Sequence, residues 1–223
     1  MQMIIIILGV LCLVFFIENA RELRTFRIRT YRIFSHKLKG IQKKRIVFLS
    51  DLHNCSYGKN NGRLLAAVRR SRPDLILIGG DMLVRKNGTS YAKTLKFLTR
   101  LTAMCPVYYA NGNHEQKLKE EPERYEQSYA AYKKHLEEAG IIFLENEAVI
   151  WKTGRARIRI SGLEIPLSAY EKLGKRKLSV RQIEDRIGRS DPSYQILLAH
   201  NPAYVQQYEA WGADLVLSGH VHG

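Results

Sequence analysis

From Arg45 onward the chain alternates short, branched apolar runs with stretches of helical spacing, and that alternation limits the fold more than any other feature. "RIVFLS" (45–50), "DLILIGG" (74–80), "PVYYANGN" (106–113), "SYQILLAHNP" (193–202) and "ADLVLSGH" (213–220) read as buried strands that end in polar loops. "GRLLAAVRRS" (62–71), "SYAKTLKFLTRLTA" (90–103), "EPERYEQSYAAYKKHLEEAG" (121–140), "SVRQIEDRIGRS" (179–190) and "PAYVQQYEAWG" (202–212) read as helices, the first closed by Pro73 and the third by Gly140. In the middle, "IIFLENEAVIWK" (141–152) and "RARIRISGL" (155–163) leave little room for a helix. Ile158 and Ile160 alternate with arginines there, which predicts an antiparallel pair with one wet face. Strands separated by helices imply crossovers, and strands that meet directly imply a second sheet. The expected fold is α/β, a four-layer α/β/β/α sandwich of two mixed sheets flanked by helices.

A different texture precedes it. "MIIIILGVLCLVFFI" (3–17) carries no charge and, with its flanks, approaches the roughly 20 residues that span a hydrocarbon core. No basic residue precedes it and no small-residue cleavage zone follows, so an uncleaved transmembrane helix is expected rather than a removed signal. Residues 18–45 then hold ten Lys/Arg against two acids, more than half of the formal net charge of +15. Positive charge beside a membrane helix stays cytoplasmic and attracts anionic headgroups. The expectation is a single-pass protein of the cell membrane with a cytoplasmic body: anchor 1–20, basic juxtamembrane segment 21–44, folded domain 45–223. With that excess set aside, the rest shows no basic stripe with interleaved aromatics, so no nucleic-acid partner is expected. Cys12, Cys55 and Cys105 have no C-x-x-C spacing and give no disulfide framework.

The strands end in residues that bind metal ions. The first gives "SDLH", the second "GGDM", the third "NGNHE", the next "LAHNP" and the last "SGHVHG". Asp51, His53, Asp81, Asn113, His114, His200, His220 and His222 therefore fall where ligand sites of open α/β sheets collect. Five of the seven histidines lie at these ends; His36, in the basic segment, and His135, on a helix of mixed charge, read as solvated. Singly, each residue has a plainer reading: Asp as a cap, Asn-Gly as a turn, His200 as a satisfied ring. Jointly they do not, because residues i and i+2 of an extended chain face one way and bring His220 with His222, and Asp51 with His53, to one place. Carboxylates, an amide and neutral imidazoles without thiolate suit Mn, Fe, Zn, Co or Ni. Eight such residues exceed one tetrahedral ion and suit two divalent ions about 3.5–4 Å apart.

D-x-H, G-D, G-N-H-E, a single His and G-H-x-H, in this order on alternating strands, resemble the calcineurin-like metallophosphoesterase superfamily. The apolar start and basic stretch are similar to its membrane-anchored bacterial branch, which includes UDP-2,3-diacylglucosamine pyrophosphatase-like proteins. The resemblance implies that Asp51, His53 and His222 hold one ion, that Asp81 bridges to a second, and that Asn113, His200 and His220 complete the second. It implies His114 as the catalytic non-ligand that donates a hydrogen bond or proton to the phosphate or leaving oxygen, with Glu115 orienting it or serving as a helix-start carboxylate. The implied activity is hydrolysis of a phosphoester or pyrophosphate bond by a metal-bridged hydroxide, on a phosphorylated small molecule or a lipid- or nucleotide-linked substrate. The family continues past G-H-x-H, so the catalytic domain is expected to be truncated at its C-terminus. A phosphodiesterase or phosphatase acting on soluble substrates, and a catalytically silent metal-binding membrane scaffold, are the alternatives. The basic run "EKLGKRK" (171–177) reads as a solvated loop.

Overall fold

Strand periodicity sorts the apolar residues into three layers, and the layers define the architecture. The computed structural model describes residues 7, 9–16, 25–154, 156–170 and 178–221. Strands β1 (Ile46–Leu49), β2 (Leu75–Ile78), β3 (Val107–Tyr109) and β4 (Ile141–Phe143) form one sheet in that order. A second sheet holds β5 (Glu147–Thr153), β6 (Ala156–Leu163), β7 (Tyr194–Ala199) and β8 (Leu215–Leu217). Successive side chains of a strand point to opposite faces. Leu75 and Leu77 of β2 therefore join Ile158, Ile160, Ile196 and Leu198 between the sheets. Ile76 and Ile78 turn the other way and pack with Val107 and Tyr109 under helices α1 (Gly62–Ser71), α2 (Ala92–Thr99), α3 (Asn113–Glu120) and α4 (Tyr129–Glu138). On the far side, Leu163 and Leu197 meet Ile183 and Ile187 of α5 (Val180–Ile187) and Tyr208 and Trp211 of α6 (Val205–Trp211). Helix, sheet, sheet, helix follow as expected.

Several expectations need correction. The first sheet is wholly parallel rather than mixed, because each of its connections carries a helix that returns the chain to the same edge. Only the second sheet is mixed, with β5–β6 antiparallel and the remaining pairs parallel. The stretch 141–152 is not one strand. It breaks at Leu144–Asn146, where Leu144 N–H donates to Tyr109 O at 2.7 Å and Asn146 takes φ 58°. Ile141–Phe143 stays with the first sheet, and Glu147–Thr153 alone pairs with β6. The wet face is half covered: Arg157 is exposed, but Arg159 lies under α5 and donates to the carbonyls of Ile187 and Arg189. The long helix expected over 121–140 is a 3₁₀ turn, Pro122–Arg124, followed by α4, which Ser128 caps through Ala131 N–H. Asn113 ends no strand. It opens α3, a helix the apolar pattern did not signal because three of its four buried residues are Asn113, Glu115 and Gln116.

The basic segment is tied to the body, among other contacts by Lys44 Nζ, 3.0 Å from Asp74 Oδ1. Phe26 packs edge-on against Tyr57 at 5.2 Å, and Lys37 Nζ lies 2.8 Å from Asp214 Oδ2. His36 and His135 are exposed, as expected, and all three cysteines are free. Among the described residues no helix is long and apolar enough to cross a membrane; residues 9–16 are helical, and the rest of the expected anchor lies mostly outside the described residues. The run 171–177 and His222 also lie outside them.

Candidate metal centre

Past the last hydrogen bonds of β1 and β2 the two chains continue side by side. Asp51 N–H donates to Gly80 O at 3.0 Å, His53 N–H to Asp81 O at 2.9 Å and Asn54 N–H to Met82 O at 3.0 Å. The loops after β7 and β8 pair through Gly219 N–H and His200 O at 3.1 Å. Cross-links then join the sheets: His220 N–H donates to Asp51 Oδ1 at 3.0 Å, and His200 Nδ1 lies 2.7 Å from Gly79 O. A Cβ on Gly219 would stand 2.1 Å from Ser50 Oγ and 2.5 Å from Asp51 Oδ2, so the close approach of the sheets requires glycine. Asp51, His53, Asn54, Asp81 and His220 all take positive φ, between 46° and 73°. Such backbone costs on the order of 1–3 kcal/mol each and gathers at functional sites.

The side chains converge. Asp81, 2 % exposed, has Oδ2 3.1 Å from His200 Nε2 and 3.8 Å from His53 Nε2. Asp51 Oδ1 stands 3.8 Å from each of the same two nitrogens. His220 Nδ1 lies 3.0 Å from Asn113 Oδ1. Donor atoms of Asp81, His200 and His220, and separately of His53, Asp81 and His114, lie within 4.8 Å of one another, with Asp81 common to both groups.

Hydrogen bonding distinguishes the rings. A carbonyl can only accept, so His200 carries a proton on Nδ1, and the neutral ring then turns an Nε2 lone pair toward the Asp81 carboxylate. His200 Nε2 is buried without a hydrogen-bond partner. Two acceptors at 3.1 Å call for a positive charge between them, a proton or a metal ion. Burial opposes a charged His200, yet Asp81, Gly79 O and Asp51 raise its pKa. Asp81 is buried too, and His200 and His114 hold its carboxyl below the usual range. His114 is the opposite case. Its Nδ1 accepts from Arg85 N–H at 3.0 Å, so the neutral ring keeps its proton on Nε2 and offers no lone pair to an ion. Burial, with His53 and Arg85 adding to it, lowers its pKa to about 4 against the pull of Asp81. The donor set of Asp51, His53, Asp81, Asn113, His200 and His220 thus fits one or more divalent ions.

The structure brings together every expected site residue it describes, His222 lying outside them. Glu115 does not orient His114: its carboxylate accepts from Asp81, Leu83 and Gly112 N–H and from Tyr109 Oη–H. Tyr170 escaped the sequence reading. It follows β6 on the 3₁₀ turn Leu167–Tyr170 and packs edge-on to His220 at 5.3 Å and tilted against His200 at 6.3 Å. The strand-end rule, applied to the loop after β6, would have included it.

Comparison with known proteins agrees with this geometry. The chain is 29% identical over 199 residues to "Uncharacterized protein YpbG" of Bacillus subtilis (strain 168), covering 88% of the chain and 68% of that protein. It is 29% identical to "Uncharacterized metallophosphoesterase YkoQ" of the same organism, covering 99% and 77%. It is 27% identical to "Phosphodiesterase YaeI" of Escherichia coli (strain K12), covering 80% of the chain and 60% of that protein. The fold is similar to that of phosphopantetheinyl hydrolase (PptH) from Mycobacterium tuberculosis, with TM-score 0.52 and 15% identity over 80% of this chain and 83% of that one. The sequence profile of the calcineurin-like phosphoesterases matches residues 44–223, and the chain belongs to that family of metal-dependent phosphoester hydrolases.

Proposed function

We propose that the chain hydrolyses a phosphoester or pyrophosphate bond at two divalent ions held by Asp51, His53, Asp81, Asn113, His200, His220 and His222, with Asp81 shared between them. The buried contact of His200 Nε2 with Asp81 Oδ2 at 3.1 Å, where a positive charge must lie between nitrogen and carboxylate, carries this reading. When bound, the ions supply Lewis acidity, lowering the pKa of water from about 15.7 toward about 7. The chain's own residues do the rest. His114 directs an Nε2–H toward the phosphate, and because burial keeps the ring neutral it stabilises charge on oxygen by hydrogen bonding rather than by delivering a proton. His114 N–H donates to Asp81 Oδ1 at 2.9 Å, which fixes the shared carboxylate. Gly79 O holds the His200 tautomer, as second-layer carbonyls do for metal-binding histidines.

The apolar run 3–17 and the basic segment after it support a membrane-bound enzyme with a cytoplasmic body, acting on a lipid-linked or nucleotide-linked phosphate. The test strips the full chain with chelator, reloads it with Mn, Fe, Zn, Co or Ni, and measures bound metal by mass spectrometry. An aryl phosphodiester, an aryl monoester and UDP-diacylglucosamine are then assayed side by side. Metal-dependent turnover that Asp81→Asn abolishes is expected; no turnover with any metal leaves the scaffold reading. Resistance of the membrane-bound chain to alkaline carbonate tests the anchor separately.

A further inference from the structure

We propose that Glu115 is a positioning residue for Asp81, and through it for the pairing of the two ions; the role rests on the metal reading above. Glu115 is 0% exposed and is the third residue of α3. Its Oε2 accepts from Asp81 N–H at 2.7 Å and Gly112 N–H at 3.1 Å. Its Oε1 accepts from Leu83 N–H and from Tyr109 Oη–H, each at 3.0 Å. A helix cap needs only the Gly112 bond. The bonds to Asp81 and Leu83 reach across to the loop after β2, over 34 and 32 residues of sequence, and no local requirement of α3 explains them.

They act on a residue under strain. Asp81 takes φ 52°, left-handed backbone that is less favourable than the extended or helical regions even for an aspartate. The first turn of α3 grips it twice: Glu115 binds its main-chain N–H, and the His114 N–H binds its Oδ1. A Cβ at Gly112 would come within 2.2 Å of Asp81 Oδ1, so the carboxylate has no slack on that side. A fully buried carboxylate is expensive unless its lone pairs are taken. Here four donors take them, and three of the four belong to the main chain around the shared ligand or the start of α3. Glutamine keeps the shape of the side chain but turns an NH₂ toward donors, so at least one oxygen's pair of bonds is lost.

The test compares Mn-loaded full-length wild type, Glu115→Gln and Tyr109→Phe by electron paramagnetic resonance, bound-metal analysis and thermal unfolding. A shared carboxylate couples two Mn spins, and a role confined to stability does not touch that coupling. Wild type is expected to show a coupled pair. Glu115→Gln is expected to give an uncoupled spectrum, with the second ion bound about tenfold more weakly. Tyr109→Phe removes a donor that does not touch Asp81, so it lowers the melting temperature and keeps the coupling. Unchanged coupling and affinity in Glu115→Gln beside a coupled wild type overturn the role of Glu115 alone. Loss of coupling in Tyr109→Phe as well overturns it too, since general loosening would then account for the effect. A wild type without coupling overturns the metal pair itself. If Glu115→Gln does not fold, Glu115→Asp replaces it: the charge stays, the shorter arm cannot span both Gly112 and the β2 loop, and the same outcomes decide.

Discussion

Asn111, on the loop after β3, and Asn113, the first residue of α3, stand two residues apart and belong to two buried polar clusters of opposite character. Around Asn111, donors and acceptors match. Its Nδ2 donates to Glu145 and Glu164 at 2.8 Å each, Tyr129 Oη–H donates to Glu145, Lys119 reaches Glu164 at 2.7 Å and Lys133 reaches Glu145 at 2.9 Å. Two carboxylates face two ammonium groups, and Lys133 and Tyr129 bring the Glu145 carboxyl down although burial pushes it up. Around Asn113 the account does not close. Asp81 faces imidazoles, no lysine or arginine pairs with it among the described residues, and His200 Nε2 has no donor to meet. A cluster that satisfies itself holds the two sheets together, and a cluster that does not is built for something else to enter.

Perturbing each side can break that contrast. Asp81→Asn should reduce metal-dependent hydrolysis on the order of a thousandfold or more and abolish binding of the second ion. Metal analysis checks the lost ion, and calorimetry checks that the variant still folds. His114→Gln should lower kcat by about a hundredfold with metal content unchanged, since a hydrogen-bond donor and not a ligand is lost. Chelation of the loaded protein should cost about 2.7 kcal/mol of stability at free metal about a hundred times Kd, read as a fall in melting temperature. Lys119→Met belongs to the other cluster: it should cost roughly 2 kcal/mol, because Glu164 is left buried while Lys119 itself keeps partial exposure, and Mn binding should not change.

The smallest effect lies far from both clusters. Asp74 accepts from Arg45 N–H at 2.8 Å and Lys44 Nζ at 3.0 Å, and the Arg45 bond leads in holding its pKa below 3.8. A lowered carboxyl stabilises the fold above its unfolded pKa and loses that contribution as pH falls through the folded value. Asp74→Asn should therefore lower stability slightly near neutrality, where the contribution is fully present, and flatten its decline below pH 3.8, so that variant and wild type converge in acid.

Much of this was readable in the residues. Alternation over 45–80 marks β1, α1 and β2 because a buried strand and an amphipathic helix each write their period locally. Helix α3 was hidden because its buried face is polar, taken up by Asn113, Glu115 and Gln116. The break at Leu144–Asn146 was hidden because both halves of 141–152 are apolar and nothing local names their partners.

By itself the sequence determined where the ligand-type residues fall, after strands or, for Asn113 and His114, at the start of α3, and it placed the chain among the calcineurin-like phosphoesterases. Only the tertiary structure decided which histidine presents a lone pair and which a proton, and that Glu115 serves Asp81 instead of His114. The reason is one of range. Hydrophobic period is a property of neighbours along the chain, whereas Gly79 O and His200 lie 121 residues apart, and a tautomer is set by whichever group lies opposite the ring.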